Sequence, residues 1–153
     1  MSFELIRQDI TRMRVDAIVN AANIHLKQGG GVCGAIFKAA GAEQMQAACD
    51  KLSPIRTGEA VLTPGFDLPA RFVIHTAGPV WQGGQQGEGA LLRRSYLNSL
   101  ALAHQLGLKS IAFPLISSGV YGFPKDLALG TALSTIVAFL KQHDMQVSLT
   151  VFS

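Results

Sequence analysis

Val15-Asp16-Ala17-Ile18-Val19-Asn20-Ala21-Ala22-Asn23 and, one short turn later, Gly29-Gly30-Gly31-Val32-Cys33-Gly34 are the stretches that decide the fold of this chain. The apolar run at 15–19 is what a strand shows when both faces of its sheet are covered, which favours parallel architecture. The glycine run satisfies G-x-G-x-x-G between that expected strand and an expected helix over 32–40. There, backbone N–H groups and the helix dipole can hold a diphosphate. Taken alone, a glycine-rich turn before a helix is more often a tight turn and nothing else.

Further strands are expected at 3–7, 59–62, 72–76, 110–115 and 147–152, each bounded by Gly, Pro or polar residues. Apolar residues three and four apart predict helices over 32–40, 43–51, 90–106 and 125–143. Strands alternating with helices indicate one α/β domain spanning 1–153, three-layered α/β/α around a mixed, mostly parallel sheet. A second loop, Ser117-Ser118-Gly119-Val120-Tyr121-Gly122, directly follows an apolar strand, where open α/β sheets place their sites. Two such loops can grip one diphosphate from both sides. The Gly- and Gln-rich stretch at 82–89 reads as a mobile surface turn without chemistry.

The chain has 153 residues, enough for one core and too few for two ordinary domains with a linker. No apolar run reaches membrane-spanning length, and the start carries no secretory signal, so no membrane partner and a cytoplasmic location are expected. The net charge of +3 is scattered, Arg93-Arg94 being the one adjacent basic pair, and does not select nucleic acid. Cys33, Cys49 and the four histidines lack metal-ligand spacing, so neither a metal nor a disulfide is expected. A nicotinamide-dependent oxidoreductase would want an acidic residue about twenty positions past the glycines, at a strand end. Asp50 is the nearest candidate and falls inside an expected helix, with no chain left for a substrate domain.

Asn20 and Asn23 are expected where the second strand ends, either as turn formers or as amides that order the glycine loop and bond a sugar hydroxyl. Asp9 precedes Ile10-Thr11 and is either a helix cap or a carboxylate facing a ligand amine.

Asp9-Ile10-Thr11, residues 15–23, Gly29-Gly30-Gly31-Val32, Ala39-Ala40-Gly41, His75-Thr76-Ala77-Gly78-Pro79 and residues 113–122 stand in an order that resembles the macro domain family, from residue 3 to the last. Within it the chain is most similar to bacterial enzymes that hydrolyse O-acetyl-ADP-ribose or remove ADP-ribose from proteins. The resemblance implies the macro-domain fold, no cofactor, and ADP-ribose, its derivatives or ADP-ribosylated proteins as partners. Asp9 would accept from the adenine amino group while the Ile10 backbone contacts the ring, and Asn23 would hold the distal ribose. Gly30, Gly31, Val32, Cys33, Gly34, Ala35 and Ile36 would form the first phosphate and ribose loop, and Ser117, Ser118, Gly119, Val120 and Tyr121 the second. Phe152 would lie near adenine.

Three positions depart from the family pattern. Gln8 stands where a glycine is usual, and the sequence ends at Ser153 where relatives usually continue into a last helix. Cys33 replaces the aspartate that helps activate water in the hydrolytic members. A carboxylate of pKa ~4 is an ionised acceptor at neutral pH, whereas an ordinary thiol of pKa ~8.5 is mostly protonated. Asn23 and Cys33 are therefore the catalytic candidates for a hydrolase, although a small apolar wall is the more ordinary reading of Cys33. Some macro domains without the aspartate use a water held by the substrate's own phosphate. The alternative is an ADP-ribose reader without turnover.

Overall fold

The computed structural model describes residues 2–151. Six strands form one sheet, β1 (Ser2–Arg7), β2 (Ala17–Ala22), β3 (Ala60–Pro64), β4 (Phe72–Ala77), β5 (Ser110–Phe113) and β6 (Gln146–Val151). Their order is β1-β6-β5-β2-β4-β3, parallel except that β3 runs antiparallel to β4. Four helices cover it, α1 (Gly31–Ala40), α2 (Ala42–Asp50), α3 (Glu88–Gln105) and α4 (Lys125–Leu140).

The period-two alternation of β2 builds both layers at once. Ala17 and Val19 face the apolar layer that includes Leu92, Tyr96 and Leu100 of α3 and Ala132 and Ile136 of α4. Ile18 and Ala22 face the layer that includes Ile36 and Phe37 of α1 and Met45 and Cys49 of α2. A strand covered on both sides carries apolar residues on both faces, which is why the run Ala17-Ile18-Val19 is continuous.

Three expectations need correction. β2 begins at Ala17 and runs on to Ala22, so Asn20 lies inside the strand and not at its end. Asp16 instead anchors the strand's start, its carboxylate accepting the Lys109 N–H at 2.7 Å and meeting Arg71 at 3.4 Å. β5 stops at Phe113, two residues short of the expected end, because Pro114 has no N–H to continue the ladder. The 82–89 turn is on the surface but is organised: the Glu88 carboxylate, 2% exposed, accepts N–H bonds from Gln82, Gly84 and Gln86 at 2.6–3.0 Å. Burial alone would raise the Glu88 pKa, yet these backbone donors outweigh it and hold the group at about 2.

Candidate functional site

β2 and β5 are neighbours, but their pairing covers only Ala17 with Ile111 and Ile18 with Ala112. Beyond that point the strands part. From β2 the chain continues to one side of the sheet, through β3 and β4, whereas β5 leads to β6 on the other. A crevice therefore opens at the carboxyl ends of β2 and β5, the switch point where parallel sheets bind ligands. The loop after β2 contains Gly29–Gly31, and the loop after β5 contains residues 117–122. Both glycine loops flank this one crevice.

Helix α1 begins in the first loop with Gly30 as N-cap and no side-chain cap bond. The backbone N–H groups of Gly31, Val32 and Cys33 have no partner among the described residues. An uncapped helix start presents donors and positive potential to an anion. Gly34 lets α1 start this close to the loop, since a Cβ there would run into the Gly29 carbonyl oxygen. Of the remaining candidates on this turn, Ala35 is exposed, whereas Ile36 is fully buried in the layer beneath α1 and turns its side chain away from the crevice.

The second loop is held from below. The Tyr96 hydroxyl, fully buried, accepts the Ile116 N–H at 2.9 Å and donates to the Pro114 carbonyl at 3.1 Å, and burial raises its pKa above the ordinary tyrosine value. Ser117 sits at φ 67°, a conformation disfavoured for a residue with a Cβ, and its hydroxyl is buried against Gly78, where any side chain would collide with it. The Ser118 hydroxyl donates to the Leu115 carbonyl at 2.8 Å. Both hydroxyls thus face the loop's own interior. The N–H groups of Gly119, Val120 and Tyr121 have no partner among the described residues, and Val120 is fully exposed. Trp81 supports the loop, donating its backbone N–H to the Tyr121 carbonyl at 2.8 Å and packing its ring 4.8 Å from that of Phe123.

Asp9 follows β1 on the same edge of the sheet. It caps the 3-10 turn Ile10–Arg12, one carboxylate oxygen accepting Thr11 N–H at 3.0 Å and the Thr11 hydroxyl at 2.7 Å. The other oxygen, 3.8 Å from Arg12 Nε, retains acceptor capacity, so cap and ligand acceptor are compatible. The Ile10 side chain is buried, and the Gln8 N–H extends the β1–β6 pairing to the Val151 carbonyl at 3.2 Å. Phe152 lies outside the described residues.

Asn23 closes a ring with Lys27. Its Oδ1 accepts the Lys27 N–H at 3.1 Å and its Nδ2 donates to the Lys27 carbonyl at 2.8 Å. One Nδ2 proton is left over among the described residues. Cys33 is 7% exposed and its sulfur turns inward, 3.6 Å from Asn20 Nδ2 and 3.7 Å from the Lys27 carbonyl. It belongs to the apolar layer under α1.

Sequence reading missed what stands behind Cys33. Asn20 Nδ2 lies 3.0 Å from His75 Nδ1, and His75 Nε2 lies 2.9 Å from the Thr63 hydroxyl, which donates to Met45 Sδ at 3.4 Å. Burial pushes His75 down to about 4, so the ring is neutral at pH 7. Donation from Asn20 then assigns the proton to Nε2. Cys49 lies 3.9 Å from Nε2, and burial, with Cys33 and Asp50 nearby, pushes its thiol up to about 11. Both thiols are free. No group of three or more His, Cys, Asp or Glu among the described residues is arranged to hold a metal ion, and no helix among them is long and apolar enough to cross a membrane.

Comparison with known proteins gives this arrangement a context. The macro domain family model matches residues 19–132. A macro domain-containing protein of Ralstonia nicotianae is 56% identical over 136 residues, covering 89% of this chain and 79% of its own. A protein of Escherichia fergusonii named O-acetyl-ADP-ribose deacetylase is 52% identical over 143 residues, covering 91% and 80%. A single-residue variant of the Oceanobacillus iheyensis macrodomain, solved with ADPR, superposes with a TM-score of 0.94 at 43% identity, over 99% of this chain and 85% of its own.

Proposed function

The chain belongs to the macro domain family, and from that membership we propose that it binds ADP-ribose in the crevice between β2 and β5 and hydrolyses O-acetyl-ADP-ribose or ADP-ribosyl groups on protein side chains. What supports the binding is a pair of donor sets at the carboxyl end of the sheet, Gly31 to Cys33 at the uncapped start of α1 and Gly119 to Tyr121 in the loop after β5, none of whose N–H groups has a partner among the described residues. Backbone N–H groups suit a diphosphate without a metal, because they supply fixed partial positive charge at no reorganisation cost. Asp9 takes the adenine amino group through its less engaged oxygen, and the distal ribose reaches Asn23.

Asn23 is the orienting group, its amide plane fixed by Lys27 and its spare proton directed to a ribose hydroxyl. With the Cys33 sulfur turned inward, the attacking water is held by the substrate's phosphate and not by a side chain at position 33. The same inward turn favours a second reading, a reader that binds without turnover. Calorimetry with ADP-ribose and NAD in the absence of divalent metal, beside a turnover assay on O-acetyl-ADP-ribose, separates the two. Tight ADP-ribose binding, much weaker NAD binding and measurable turnover are expected. Equal affinity for the two ligands would refute the cleft assignment, and tight binding with no turnover would select the reader.

A further inference from the structure

The Gln46 carboxamide reaches from the middle of α2 to the segment between Asn23 and the glycines. Its Nε2 donates to the Leu26 carbonyl at 2.9 Å and its Oε1 accepts the Gln28 N–H at 3.0 Å. This is the pattern one strand offers another, built from a single side chain, and it brackets Lys27. The second Nε2 proton goes to Asp50 Oδ1 at 2.9 Å, and the same oxygen takes Lys27 Nζ at 2.8 Å. Gln46 and Asp50, four apart on one helix face, thus fix the backbone on either side of Lys27 and its ammonium group. The hydrogen bonds from Lys27 and then Gln46 hold the Asp50 carboxyl below its ordinary value, so the clamp is ionised throughout the neutral range.

Two features show that the bracketed segment needs holding. Leu26 adopts φ 54° with its side chain 1% exposed, a left-handed conformation that a leucine keeps only when its surroundings over-determine it. The Lys27 backbone is also the sole partner of the Asn23 side-chain amide among the described residues, and its carbonyl receives the Cys33 thiol as well. A displaced Lys27 backbone therefore turns Asn23.

We propose that Gln46 is a positioning residue for the crevice: it sets the Asn23 amide and the entry into Gly29–Gly31 from outside the site, through its paired bonds to residues 26 and 28. This rests on the ADP-ribose reading above. The structure assigns the effect to the distal-ribose end, because Asp9 lies beyond β5 and β6 and shares no bond with the clamp.

Gln46→Met keeps the side-chain volume and removes both backbone bonds. It lowers the fraction of chains in which the Lys27 backbone holds the Asn23 amide ready for the distal ribose, and ADP-ribose affinity falls in proportion to that fraction. ADP-ribose binding should weaken about ten-fold, as expected for two neutral hydrogen bonds. ADP has no distal ribose and should lose much less, so the preference for ADP-ribose over ADP collapses. Gln46→Glu, which retains the acceptor for Gln28 but sets an acceptor oxygen against the Leu26 carbonyl and the ionised Asp50, should lose at least as much as Gln46→Met. Hydrogen exchange at the Gln28 amide should accelerate in Gln46→Met while circular dichroism stays that of the wild type. A folded Gln46→Met or Gln46→Glu chain that keeps the wild-type preference overturns the positioning role alone. A wild-type chain that binds neither nucleotide overturns the ADP-ribose reading, and the positioning role with it.

Discussion

Lowering the pH from 7 to 4 should strip stability from this protein through one side chain, His75. Its ring is fully buried between β4 and the α1–α2 layer, with Asn20 on one nitrogen and Thr63 on the other. The unfolded chain carries a histidine of ordinary pKa 6.5, whereas burial holds the folded one at about 4. Above 6.5 both states are neutral and the stability is fully present. Between 6.5 and 4 the unfolded state takes up a proton that the folded state refuses, so stability falls by about 1.4 kcal/mol per pH unit. The whole window is worth at most about 3 kcal/mol for a pKa of about 4. That is a large share of a typical 5–15 kcal/mol. Protonation also sets two donors, Nδ1–H and Asn20 Nδ2, 3.0 Å apart. A half-turn of the Asn20 amide presents Oδ1, which has no partner in the neutral state, and offsets part of the loss. The assay is urea unfolding at steps between pH 7.5 and 4, followed by Trp81 fluorescence, for the wild type and His75→Gln. The variant is less stable at pH 7 but should lose much less on acidification. The two proteins differ at this one side chain, so the difference in slope isolates His75. Parallel slopes, or an NMR titration of the His75 ring near 6.5, would refute the reasoning.

Asp9→Asn keeps an acceptor for Thr11 but replaces the outward carboxylate oxygen with a donor, so ADP-ribose affinity should drop by about 1–3 kcal/mol with little change in melting temperature. Unchanged calorimetric affinity would leave Asp9 as a cap alone. Gly119→Glu enters open space at an ordinary backbone angle, so the fold should survive while the added charge faces the diphosphate; circular dichroism and calorimetry together check this, and retained binding would remove the second loop from the site. Cys33→Asp should raise turnover, with general-base help worth up to ~10²–10⁴-fold in favourable geometry. Full wild-type activity in Cys33→Ala leaves water held by the substrate phosphate as the mechanism. No turnover in either the wild type or Cys33→Asp, with tight binding in both, selects the reader.

The alternation along β2, the helical spacing and the two glycine runs were legible in the sequence because each is a local pattern: a period of 2 or 3.6, or a residue type that permits a turn. Those patterns placed ten strands and helices within a few residues of where they lie, and identified the two loops that flank the crevice. Asp9 could be read locally too, since its partner is Thr11. Tertiary structure decided the rest, because the partners are far apart along the chain and no local pattern announces them. The Asn20–His75 contact spans 55 positions and Gln46 to Leu26 spans 20. The stretch at 82–89 read as a mobile turn because nothing local announces that the Glu88 carboxylate gathers three of its backbone donors. The direction of the Cys33 thiol was likewise undetermined in the sequence, where a helix start beside a glycine loop allows it to face either way. The Asn20 amide and the Lys27 carbonyl meet it on the inner side, and that packing turns the sulfur into the wall. The crevice itself exists because β5 ends at Phe113 while β2 continues to Ala22, a difference in length between two strands that only their pairing makes visible.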